Sequence, residues 1–128
     1  MPDFILFQRD NGDEYRLKIT AVDAVELEKR LDCSINEAVA KFDRVSVAAD
    51  LFAAALPSEM PYKDRKNIAL SVFDEMISSG KNIQDYQIVI MDALVASGFM
   101  NGEIVALQKE MMKKTKTILA ANSTESQT

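Results

Sequence analysis

Residues 14–31, EYRLKITAVDAVELEKRL, decide the fold because their hydrophobic period changes midway. Tyr15, Leu17 and Ile19 alternate with charged or polar residues, the pattern of a half-buried strand. From Thr20 onward Val22, Val25, Leu27 and Leu31 fall on helical spacing instead. Upstream, residues 4–8 (FILFQ) form a second short apolar run, and Asp10-Asn11-Gly12-Asp13 separates the two. An Asn-Gly pair is a strong hairpin signal because both residues tolerate positive φ. The pattern predicts a β-hairpin over 4–8 and 14–19 that feeds directly into a helix over 21–31, capped by Thr20 with Asp23 three residues on. A lone hairpin is marginal in water, so this one must pack on helices or pair with another chain through its free edges.

Outward from this unit the chain reads helical. Ser34 and Glu37 form a capping box that opens a short helix to about residue 42. Val45, Ala48, Ala49, Phe52, Ala53 and Leu56 share one face of a third helix, ended by Pro57. Residues 64–79 place Ile68, Val72, Phe73, Met76 and Ile77 inward, and Gly80 follows as a stop. Residues 82–97 are apolar nearly all round, which marks a helix central in its fold or buried in an oligomer. A last helix over 101–121 carries Ile104, Leu107, Met111 and Ile118 on one stripe, widened by Val105, Met112 and Leu119. The fold class expected is mainly α: an N-terminal β-hairpin, then a compact bundle of five to six helices, as one domain over 1–121. The polar tail over 122–128 (NSTESQT) is expected to be disordered.

The chain has 128 residues, enough for one domain that buries roughly two-thirds of its unfolded surface. Its apolar runs are too short to predict a membrane span, and its first residues lack the features of a secretory signal. Twenty acidic against 15 basic residues give a net charge of -5, which argues against sequence-independent nucleic-acid binding. Histidine is absent from the sequence and Cys33 is the single cysteine. The commonest general base and the usual zinc ligand sets are therefore missing, and a reducing compartment is expected. Carboxylates such as Glu26, Glu28, Asp74 and Glu75 read as solvated helix faces. Lys113, Lys114 and Lys116 read as a complement to a helix C-terminus. Met76 and Met91 read as core, while Met111 and Met112 divide evenly between core and an adaptable binding surface. The expectation is a protein that is not an enzyme and holds no cofactor and no metal.

The order of these pieces resembles the tail assembly chaperones of siphophages and related prophages of Gram-positive bacteria. Those proteins open with a Tyr/Lys-Leu-rich strand, then an ITxxAxxELEKxLG-like helix start, then a short SxxEAL-like helix. The matching residues are Tyr15, Leu17, Ile19, Thr20, Glu26, Leu27, Glu28, Lys29 and Leu31, then Ser34, Glu37 and Ala38. Ser97-Gly98-Phe99-Met100 stands where the family has an SGFF-like sequence, so the resemblance spans roughly residues 4–100. The chain departs at Asp32, where family members often place a helix-stopping Gly.

The resemblance implies a non-enzymatic bacteriophage assembly factor working in the host bacterial cytoplasm and absent from the mature virion. Its implied partners are the tape measure protein, which it binds and solubilises, and the tail tube protein, whose subunits it helps recruit. Self-association is expected, with neither nucleic acid nor membrane as partner. A longer, frameshifted form is known in the family. The competing reading is a structural tail completion or adaptor subunit retained in the virion; a small DNA-binding regulator fits the acidic charge poorly. The candidate self-association residues are Phe4, Leu6, Tyr15 and Leu17 in the hairpin. The candidate tape measure contacts are Ile104, Leu107, Met111 and Met112.

Overall fold

The computed structural model describes residues 3–103, 105–107 and 109–111. Strands β1 (Ile5–Gln8) and β2 (Glu14–Leu17) precede helices α1 (Ala21–Leu31), α2 (Ile35–Ala40), α3 (Val45–Ala55), α4 (Tyr62–Ser78) and α5 (Ile83–Ala96). The described residues between 102 and 111 are helical as well. The chain is thus mainly helical, with an N-terminal antiparallel hairpin. Ile104, Met112, the lysine cluster, Ile118, Leu119 and the tail lie outside the described residues.

β1 and β2 pair with Ile5 opposite Leu17, Leu6 opposite Arg16, Phe7 opposite Tyr15 and Gln8 opposite Glu14. The turn differs from a two-residue Asn-Gly turn. Gly12 N donates to Arg9 O at 3.0 Å and Arg9 N donates to Asp13 O at 2.7 Å. Gly12 alone in the loop has positive φ, at 94°. This is a three-residue loop in which Gly12 takes the left-handed position, and Asn11 instead accepts Asp13 N on its side chain at 2.9 Å. The ladder also stops two residues short of Ile19. Lys18 N donates to Ala55 O at 2.9 Å, and Ile19 N donates to the Ser97 hydroxyl at 2.8 Å. The alternation nevertheless continues, because Leu17 and Ile19 are both buried.

The caps follow the sequence. Thr20 Oγ1 accepts Asp23 N at 3.2 Å, Ser34 Oγ accepts Glu37 N at 3.1 Å, and Asn82 forms a reciprocal capping box with Asp85. Asp32 ends α1 in the left-handed region, at φ 54° and ψ 41°, doing there what Gly does elsewhere. α4 begins two residues earlier than its apolar pattern indicated, with Pro61 at its N-cap.

α3 is the centre of the molecule: every residue from Ala48 to Leu56 is buried. It packs against α1, α2, α4 and α5, and its alanines let those neighbours come close. α5 has no exposed residue over its length, in keeping with its all-round apolar pattern. An aromatic column ties the layers together. Phe7 meets Phe52 edge-on at 5.5 Å, Phe52 stacks on Tyr86 at 5.3 Å, and Phe73 meets Tyr86 edge-on at 5.3 Å. Met76 and Met91 are buried, as periodicity indicated. One inward assignment is corrected: Ile77 is exposed, while Ala69 of the same helix is buried. In α1, Val22 and Val25 are exposed, while Asp23, Ala24 and Leu27 are buried.

Candidate interaction surface

The hairpin is fixed to the body through its inner face. Leu17 is 0% exposed, and Phe7 and Tyr15 are half-buried. Arg9 extends from the end of β1 to α4, where it holds Glu75 at 2.5 and 3.3 Å. This pair, together with Tyr15, pushes the Arg9 guanidinium further toward its charged form. On the outer face the Arg16 guanidinium sits 4.8 Å from the centre of the Phe4 ring, and Leu6 beside it is 60% exposed.

The four hairpin candidates therefore divide between two faces, as strand alternation requires. Phe4 and Leu6 share the outer face with Arg16. Tyr15 and Leu17 share the inner one. Leu17 is a core residue and is withdrawn from the partner-binding set.

The last described helix is also held on one side. Val105 is buried, and Lys109 pairs with Asp92 of α5. Leu107 and Met111, one turn apart, are 62% and 67% exposed. Of the tape measure candidates, the structure thus brings Leu107 and Met111 onto one outward face, while Ile104 and Met112 are outside the described residues. Sequence periodicity missed the exposed pair Val22 and Val25 on α1. These valines fall on helical spacing, but α1 turns Asp23, Ala24 and Leu27 inward, which leaves the valines on the outward side.

Two buried carboxylates organise the other side of the bundle. Asp23 accepts from the hydroxyls of Thr20 at 2.8 Å and Ser58 at 2.7 Å, and from Arg65 at 3.5 Å. Asp50 accepts from the Tyr62 hydroxyl and from Lys66 at 2.6 Å. Burial, then the bond to Asp50, pushes the Tyr62 phenol well above its ordinary value. The Arg30 guanidinium lies 3.3 Å from the centre of the Tyr62 ring. Each carboxylate is satisfied by side chains from a neighbouring element, so these clusters fasten α1 and α3 to α4. Among the described residues, no group of three or more His, Cys, Asp or Glu side chains could hold a metal ion. Cys33 is a half-buried free thiol.

A groove of about 430 Å³ runs along the outer edge of β2, between Glu14, Tyr15 and Arg16 on one side and Pro57 to Glu59 on the other. Among the described residues, no helix is long and apolar enough to cross a membrane. No family model, curated protein or solved structure matches this chain.

Proposed function

We propose that this chain is a phage tail assembly chaperone, a non-enzymatic factor that binds the tape measure protein, keeps it soluble in the host cytoplasm and helps recruit tail tube subunits. The observation that carries the reading is the outward pair Leu107 and Met111, on a helix anchored through its opposite side by Val105 and the Lys109–Asp92 pair. Large apolar side chains one turn apart are what an amphipathic helical partner packs against. A tape measure protein is long and helical, and methionine adapts to varied partner surfaces. Leu6, Val22 and Val25 add exposed apolar positions on the hairpin and α1. The order of motifs over residues 4–100 supplies the family setting.

Co-expression with the tape measure protein tests the reading. The soluble fraction of the tape measure protein is expected to rise, and the two proteins to co-purify. A tape measure protein equally insoluble with and without this chain would sink the proposal.

A further inference from the structure

We infer that the outer edge of β2 is a self-complementary docking strand whose occupant is β2 of a second copy of this chain. The antiparallel pairing is centred on Tyr15. This inference stands whether or not the tape measure protein is the partner.

The backbone defines which groups are available. Residues 9 and 13 are joined by the Arg9 N to Asp13 O bond. Hydrogen-bonded and non-bonded pairs alternate along an antiparallel ladder. Phe7 with Tyr15, and Ile5 with Leu17, are therefore the bonded pairs within the hairpin. The N–H and C=O groups of Glu14 and Arg16 consequently point away from β1, into the groove beside Pro57. The next outward N–H, that of Lys18, is already committed to Ala55 O. The open edge is thus short and centred on Tyr15.

Register follows from two independent requirements. Outward backbone groups must meet outward backbone groups, which excludes registers that set Glu14 or Arg16 against Tyr15. Opposed side chains must also suit each other, since like charges directly opposite are destabilising and opposite charges favourable. Centring on Glu14 opposes two glutamates. Centring on Arg16 opposes two arginines, and its Glu14–Lys18 pairs would need the Lys18 N–H that Ala55 O already holds. Centring on Leu17 sets Arg16 against Lys18. Centring on Tyr15 places Glu14 of each copy opposite Arg16 of the other, twice, and joins both outward residues of both strands. Both side chains are exposed on the outer face, where the Phe4 ring steadies the Arg16 guanidinium. A two-fold axis through such a patch is the isologous geometry of most homodimers. The product is a four-stranded sheet in the order β1-β2-β2-β1.

A charge exchange tests this directly by sedimentation over a concentration series. The wild-type chain is expected to dimerise. Glu14→Arg and Arg16→Glu should each weaken dimerisation roughly tenfold or more, with melting temperatures unchanged at dilutions where the wild-type chain is itself monomeric. The double exchange should restore it. An equimolar mixture of the two single variants should form a heterodimer, because one then presents two arginines and the other two glutamates. Three results would overturn the inference: a wild-type chain monomeric throughout, dimerisation indifferent to both single exchanges, or β2 amides protected from hydrogen exchange only when tape measure protein is added. The last result assigns the edge to a different strand.

Discussion

Tyr86 shows how one residue can join three elements. Its ring is fully buried between Phe52 and Phe73, and its hydroxyl donates to Ala69 O at 2.9 Å. Burial, reinforced by the nearby Asp50 charge, pushes its phenol far above the ordinary value near 10.0. Tyr62 is shifted the same way. A raised folded-state pKa contributes stability that is complete below the unfolded value and lost as pH rises above it. The urea midpoint is therefore expected to be insensitive to these two groups from neutrality to about pH 9, and to fall above about pH 10. Tyr86→Phe should cost about 1 kcal/mol at neutral pH, the net worth of one hydrogen bond, and should flatten the alkaline decline. At the same scale, Leu107 and Met111 test the surface reading. Replacing both by Glu should leave stability within about 0.5 kcal/mol, as surface changes do. Tape measure binding should be lost in the same variant. A large fall in melting temperature would instead make them core.

At the scale of elements, the hairpin, its entry into α1 and the order of the helices were legible because period, turn residues and caps agree. Thr20 and Ser34 cap the helices they were expected to start, and Asn82 adds a capping box that the sequence reading did not name. What was not legible depended on partners far along the chain. Val22 and Val25 resemble a buried stripe, but α1 turns the stripe containing Asp23, Ala24 and Leu27 inward. An aspartate can face the interior there because Thr20, Ser58 and Arg65 satisfy it, and no local pattern reveals Ser58 or Arg65. Ile77 is exposed near the end of α4, while Ala69, too small to stand out in a hydropathy pattern, is buried. In the candidate surface, the shared face of Leu107 and Met111 followed from spacing. Its outward direction did not, since that is set by Val105 and the Lys109–Asp92 pair. The stop at the end of α1 gives a prediction at this scale. Asp32 holds a left-handed conformation that costs an L-residue about 1 kcal/mol, though less for Asp. Asp32→Gly is expected to raise stability by about 0.5 kcal/mol in urea unfolding, with α1 unchanged in length.

At the scale of the whole molecule, the hairpin and four helices are organised around α3. The inner face of the sheet reaches it through Phe7, α5 through Tyr86, and α4 through the Asp50 cluster. The two surfaces proposed for partners lie on elements fastened to this body by one side only: the hairpin by its inner face, the last described helix by Val105 and Lys109. Their outer faces carry the exposed apolar residues Leu6, Leu107 and Met111, outside the core. The same centrality has a consequence in time. α3 leaves the ribosome before α4 and α5, which must both be made before its alanine-rich surface is covered. At roughly 5–20 residues per second, the nascent chain carries an incompletely shielded apolar helix for seconds. A factor whose proposed task is to shield another protein's apolar helices thus begins its own existence with one that only the hairpin, α1 and α2 can yet shield.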